Sequence, residues 1–385
     1  MSRRDNAQEE GLSAYPQAAE LQLRQVCKRY PGEGEPAIGE LSFTVPAGAF
    51  CVLVGPSGCG KTTTMRLINR MIPLSGGEIL LGGQSVMERD VRKLRREIGY
   101  VIQQIGLFPH LTVAENIATV PKLLGWAKDR TDARVEELLA LIGLDTEGLG
   151  GRYPAQLSGG QRQRVGVARA LAADPPLMLM DEPFGAIDPI NRAYLQDEFL
   201  ALQEKVKKTI VFVTHDIDEA IKMGDRIAIM RKGGVLEQYG PPEEILGRPA
   251  SDFVAQFVGA DRGIKRLSLT TLAAVTLLDD TRRSAEARRV PSSYSLKDAL
   301  SILLTDAGKP LAVVDAPKSG EAGEGRVLGY LTLSHLERLI AEESERDGDG
   351  VVAAGMPGAH PGTAPDGAHA TPSDAAADPT AEASA

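Results

Sequence analysis

One stretch constrains this chain more than any other. Phe50-Cys51-Val52-Leu53-Val54 is an unbroken apolar run. It feeds directly into Gly55-Pro56-Ser57-Gly58-Cys59-Gly60-Lys61-Thr62, with Thr63 following and Met65, Leu67 and Ile68 beyond. A continuous apolar run reads as a parallel strand buried on both faces, and the apolar positions after the loop read as a helix. The loop fits G-x-x-x-x-G-K-[ST], whose glycines let backbone N–H groups curl around phosphate oxygens. The helix start adds partial positive charge, Lys61 can bridge outer phosphates, and the Thr62 hydroxyl can ligate Mg²⁺. A Gly-rich turn that binds nothing is the bland alternative, and the strand–loop–helix context argues against it.

A second constellation lies downstream. Leu177-Met178-Leu179-Met180-Asp181-Glu182 is an apolar run ending in two carboxylates. At the carboxyl end of a parallel strand such groups face the ligand crevice. There Asp181 would hold Mg²⁺ and Glu182 would polarise an attacking water as general base. Alone, the pair would read as a solvated strand end. Leu157-Ser158-Gly159-Gly160-Gln161 supplies the company it needs: Ser158 is a good N-cap, and the glycines leave N–H groups open at a helix start. That is a second anion site, about a hundred residues from the first.

These motifs, with His215 following the strand Thr209–Thr214, resemble an ABC-family nucleotide-binding domain in order and spacing, over roughly residues 20–260. The resemblance implies an α/β fold: a P-loop core sheet, a helical subdomain at about 104–156 and an antiparallel β region. It implies ATP and Mg²⁺ as ligands and a head-to-tail homodimer, each ATP lying between one protomer's P-loop and the other's Ser158–Gln161. It assigns Tyr30 to the adenine ring, Gln103 to Mg²⁺ and the lytic water, Asp188 to the loop between the two sites, and His215 to the γ-phosphate and to orienting Glu182. Ile187 stands where the family pattern usually has Leu, a conservative departure. Read singly, Tyr30, Gln103 and His215 could each be an ordinary surface or strand-end side chain.

Between the phosphate motifs, Thr112-Val113-Ala114-Glu115 fits a capping box and predicts a helix to about Leu123. Val135, Leu138, Leu139 and Ile142 keep helical spacing, with Gly143 as the C′ residue. In the family, the segment Gln103–His110 lies beside the groove that takes a coupling helix from the membrane subunit. Leu107 and Phe108 are therefore candidates for an exposed apolar contact, or for ordinary packing between subdomains.

Gly99–His110 closely resembles the ATPase subunits of glycine betaine, carnitine and choline importers, and Asp261-Arg262 with Lys265–Leu269 does so too. Residues 261–290, with Arg282, Arg283, Arg288 and Arg289, read as a linker. At 291–341 a helix–strand–strand–helix pattern resembles a single CBS (cystathionine β-synthase type) repeat, whereas such repeats normally work in pairs. Residues 1–19 read as a polar tail. From 342 to 385 the chain turns acidic and then Ala-, Gly- and Pro-rich, with too little apolar surface to offset its ordering entropy. The acidic run Glu342–Asp347 reads as a solvated tail.

Composition fits a subunit that works beside a membrane through partners. The net charge is −9 with a pI near 5.3, which argues against a nucleic-acid partner. No run of about 18 apolar residues could span a bilayer, and the charged start lacks an apolar h-region. Cys27, Cys51 and Cys59 have no metal-ligand spacing and read as free thiols. The expectation is a peripheral ATPase on the cytoplasmic face, docked on integral permease subunits, with an extracytoplasmic binding protein acting indirectly. An importer for another small solute is the first alternative. A soluble, non-transport ABC ATPase is the second, and the tandem domains, coiled coils or basic patches it would call for are not seen.

Overall fold

Three apolar runs lie side by side. A computed structural model describes residues 18–348 apart from 33, 104–105, 145–147, 186, 280–286 and 316–324, with side chains through 341. Phe50–Val54, Thr209–Thr214 and Leu177–Asp181 are adjacent parallel strands, buried along their whole lengths. Ile98–Val101 extends the sheet on one side and Arg226–Arg231 on the other, both parallel; Val235–Gly240 closes that edge antiparallel. A sheet covered on both faces needs apolar side chains on both, so these strands show no alternation.

The two faces have separate cores. Cys51, Leu53, Val211 and Val213 point to one, packed against Leu21, Val45 and Ile79 of a four-stranded antiparallel sheet. That sheet runs in the order Ile38–Val45, Leu21–Lys28, Gly76–Leu81, Gln84–Ser85. Val52, Val54 and Phe212 point the other way, into helices 159–171 and 189–206 through Val165, Leu195 and Phe199. The period of two along each strand assigns neighbours to opposite faces. Phe50, Phe184, Phe199 and Phe212 form an aromatic cluster with centroids 5.6–6.3 Å apart; each such pair adds about 0.5–1.5 kcal/mol beyond its burial.

In the helical stretch, Thr112 and Glu115 make the reciprocal capping box. The helix they open stops at Ile117 and a second runs Thr119–Leu123, so the single helix expected to about Leu123 is in fact two. Pro121 is the cause: it has no N–H for the carbonyl of Ile117, and its ring would crowd that carbonyl in a continuous helix. Lys128–Leu141 is helical, and Gly143 follows it with φ 65° as the C′ residue.

Past the nucleotide-binding part, the stretch read as a linker carries structure of its own. Arg262–Arg266 is helical, Leu272 is fully buried, and Leu272 and Ala273 donate to the carbonyls of Tyr294 and Ser292 at 2.8 and 2.9 Å. Arg288–Pro291 is a strand, pairing parallel with Leu311–Val314, which pairs antiparallel with Val327–Leu331. Helices Leu296–Thr305 and Leu333–Gly348 complete this region. Lys265 ties its stem to the core: Nζ donates to the Val258 carbonyl at 2.8 Å and pairs with Asp218 and Asp261 at 3.2 Å each. The described residues through Leu339 group as one compact unit. The polar tail before Ala18, Gln104–Ile105 of the hinge, Arg282–Arg283, the Glu342–Asp347 side chains and the chain beyond 348 lie outside the described residues. Among the described residues no helix is long and apolar enough to cross a membrane.

Candidate functional site

Strand register brings the chemistry together. Val54 pairs with Thr214 and Val213 with Asp181. The three strands therefore end level, delivering Gly55, His215 and Glu182 to one rim.

The loop after Phe50–Val54 depends on glycine at two points. Gly55 has φ 153°, and a Cβ there would lie 2.1 Å from the Met230 carbonyl oxygen. Gly60 has φ 101°, and its Cβ would meet the Ile38 Cδ1 at 2.4 Å. At both, the backbone passes too close to its neighbours for any side chain. Lys61 is only 7% exposed and its Nζ donates to the Gly55 and Pro56 carbonyls at 2.7 and 3.2 Å. Cys59 is buried beneath the loop, its Sγ 3.7 Å from that Nζ. Ser57, Gly58, Gly60, Lys61, Thr62, Thr63 and Glu182, with Ala37 just before strand Ile38–Val45, line a cleft of about 240 Å³.

At the adjoining strand end the Thr62 hydroxyl donates to Asp181 Oδ1 at 3.1 Å. Burial raises the Asp181 carboxyl above its ordinary range; the Thr62 hydrogen bond opposes this and the neighbouring Glu182 adds to it. Glu182 has φ 43°, a left-handed conformation that a glutamate adopts only at some cost. Its N–H donates to the Val213 carbonyl at 3.0 Å, and two residues on, Phe184 is sunk among Phe199 and Phe212. The turn is pinned from both sides, and the carboxylate is aimed by it. Gln103 Nε2 donates to Glu182 Oε2 at 3.0 Å and His215 Nδ1 lies 3.4 Å from Oε1. One carboxylate is thus held between an amide and an imidazole, at the mouth of a cleft lined with phosphate-binding groups.

Not every expected residue meets there. Ser158 caps helix Gly159–Leu171, accepting from the Gln161 N–H at 3.2 Å while Gln161 Oε1 accepts from the Ser158 N–H at 2.9 Å. Neither they nor Gly159 and Gly160 line the cleft of their own chain. Asp188 caps helix Pro189–Val206, and the Asn191 side-chain and backbone N–H groups hold its carboxyl below the usual range. Tyr30 also lies off the cleft lining, half-buried, with the Lys28 ammonium 4.9 Å from its ring centroid. Phe108 is exposed at 41%, whereas Leu107 packs on the core.

Two residues escaped the sequence reading. Ala37 gave no signal, since its place follows from the packing of one sheet on another. Glu219 lines a small recess with Glu182, Thr214 and His215, is buried, and accepts from Gln196 Nε2 at 3.0 Å. Burial raises its carboxyl as well, with the Thr214 and Gln196 hydrogen bonds opposing.

Comparison with known proteins agrees with this arrangement. The family model described as ABC transporter matches residues 38–185. The osmoprotectant import ATP-binding protein OsmV of Salmonella typhimurium is 48% identical over 302 residues, covering 76% of this chain and 78% of its own. The glycine betaine/carnitine/choline transport ATP-binding protein OpuCA of Bacillus subtilis is 56% identical over 245 residues, 64% of either chain. Among solved structures, a dimeric post-hydrolysis state of an ATP-binding cassette, bound to ADP and Pi, superposes with a TM-score of 0.51 at 34% identity. That match covers 57% of this chain and 98% of the other. A P-loop, a strand-end carboxylate pair and a capped LSGGQ helix on this sheet, with these likenesses, establish that the chain belongs to the ABC transporter family as an ATP-binding subunit, ATP hydrolysis being the family's activity.

Proposed function

We propose that this chain powers an importer of quaternary ammonium osmoprotectants such as glycine betaine, choline or carnitine. Two copies hydrolyse ATP on the cytoplasmic face of the membrane, docked on separate permease subunits, while an extracytoplasmic binding protein delivers the cargo. One observation carries the catalytic part: the Glu182 carboxylate, set by a positive φ between Gln103 and His215 at the rim of the P-loop cleft. The cargo rests on likeness. The match to OsmV covers 76% of the chain, more than the nucleotide-binding part alone can supply.

In this reading the backbone of Gly55, Pro56, Ser57, Gly58, Cys59 and Gly60 cradles phosphate oxygens, and Lys61 leaves its loop carbonyls for the outer phosphates. Thr62, Asp181 and Gln103 offer oxygen atoms alone, the hard donor set that suits Mg²⁺. Among the described residues no group of three His, Cys, Asp or Glu gathers as a metal cage, in keeping with an ion that takes few protein ligands. When bound, Mg²⁺ supplies charge neutralisation on the phosphates. Glu182 takes the proton of the attacking water. His215 holds the carboxylate in position and reaches the γ-phosphate, and Thr63 and Tyr30 complete the nucleotide's surroundings. Ser158–Gln161 of one copy closes the cleft of the other, with Asp188 between the two sites. None of these residues lines the cleft of its own chain, which supports a second copy as their source. The helix–strand–strand–helix order from Leu296 to Gly348 supports a single CBS-like repeat there, either a half-module that pairs across the dimer or a remnant that only packs.

The test is uptake of labelled glycine betaine and choline after osmotic upshift, in cells lacking the gene and complemented with wild type or Glu182→Gln. Uptake restored by wild type alone is the expected result. Uptake indifferent to the gene would remove the cargo assignment.

A further inference from the structure

Away from the nucleotide cleft, a second hollow of about 260 Å³ opens where the end of helix Lys128–Leu141 meets helices Gly159–Leu171 and Pro189–Val206. Its walls are mostly apolar, with Ile142, Val167, Phe184, Leu195 and Leu202 among them. Gln163 also lines it. This side chain is 2% exposed, and its Nε2 has no hydrogen-bond partner. A buried donor left unmatched is costly, so an acceptor in the hollow would stabilise it. The neighbouring Arg164 repeats the pattern. Its Nη1 donates to the Ile142 carbonyl at 3.3 Å and its Nη2 pairs with Glu198, while its buried Nε faces no acceptor.

The charges point the same way. Arg164 and the exposed Lys205 stand against Glu198 alone in the lining, leaving one positive charge in excess. An occupant that complements this wall has an apolar body and one anionic, oxygen-bearing head. At the roughly 30 Å³ that a water molecule occupies in the liquid, the space takes on the order of ten non-hydrogen atoms.

We infer that this hollow is a binding site for a small amphiphilic monoanion, a medium-chain carboxylate in size and charge, whose head accepts from Gln163 and Arg164. The site owes nothing to the nucleotide-binding residues, and nothing in the relatives' names assigns it.

Calorimetric titration of the full-length protein with octanoate tests this, with octylamine and octanol as controls. Saturable octanoate binding is expected, with a Kd on the order of 0.1–1 mM for a ligand this small. Octylamine, which would leave both donors unmatched and meet the excess positive charge, should bind at least tenfold more weakly, as should octanol. Gln163→Leu removes one donor and should weaken octanoate about tenfold. Ala201→Trp fills the hollow from an exposed lining position, so it should fold normally and abolish octanoate binding while nucleotide binding is unchanged. Absence of saturable binding would overturn the inference. So would binding that survives Ala201→Trp, or that octylamine matches, because either would mean unspecific association with apolar surface.

Discussion

Asp181 shows how the nucleotide site trades stability for chemistry. Its carboxyl is buried, and burial raises its pKa from the ordinary 3.8. Between the unfolded and folded values the native state binds more protons than the unfolded one, so stability rises as pH falls through that window and the ionised group is a burden at neutral pH. Asp181→Asn removes that burden while keeping an oxygen for the Thr62 hydroxyl. We expect its Tm to rise by about 2–4 °C, seen by calorimetry at pH 7, while hydrolysis is lost because the amide cannot bring negative charge to Mg²⁺. The same raised pKa predicts that turnover declines on the acid side at a higher pH than an ordinary carboxylate would impose, since protons compete with the ion. A Tm lower than wild type would show that ionised Asp181 is stabilising and that this account of its burial is wrong. Other features of this scale were only partly legible. The glycines at 55 and 60 could be placed from the motif, because the loop geometry is local. The positive φ of Glu182 could not, for it is held by the Val213 carbonyl and by the packing of Phe184 among Phe199 and Phe212, all three partners distant in sequence.

At the scale of elements, the segment joining Gln103 to the helical stretch is held by one side chain. Asn116 is fully buried. It accepts from the Phe108 N–H at 2.8 Å and donates to the carbonyls of Phe108, Leu111 and Thr112 at 3.1, 3.1 and 2.9 Å. Arg169 adds a bond to the Gly106 carbonyl at 2.7 Å. Asn116→Ala leaves several backbone groups unmatched in a buried turn and should destabilise the protein by about 2–3 kcal/mol, measured by urea unfolding. A change within 0.5 kcal/mol would mean that water replaces the amide and that the turn is not held this way. Elements whose signals are local were readable: the three apolar strands, the capping box at Thr112, the N-cap at Ser158, and Gly143 as a C′ residue. The break before Thr119 was also written locally, in Pro121, since a capping box fixes where a helix starts and not where it stops. Strand Arg288–Pro291 was not readable. It is short, carries two arginines, and becomes a strand only by pairing with Leu311–Val314 across an intervening helix.

For the whole molecule, the proposed function makes one chain half of a machine. The P-loop cleft and the capped helix at Ser158 are both formed in the single chain, yet the second does not line the first. Convergence of Gln103, Glu182 and His215 follows from the adjacent ends of the parallel strands Ile98–Val101, Leu177–Asp181 and Thr209–Thr214, which no spacing in the sequence reveals without a family to compare. The composite site and the role of Glu182 stand or fall together in one variant. Glu182→Gln keeps the side chain's shape and its hydrogen-bonding positions but removes the base, a loss worth about 10²–10⁴ in rate. The decisive measurement is the mass of this purified variant by light scattering with and without ATP and Mg²⁺, turnover being followed in the same sample. The account predicts that ATP doubles the mass and that hydrolysis falls at least about a hundredfold. A variant that stays monomeric with ATP bound, or that turns over near the wild-type rate, would contradict it.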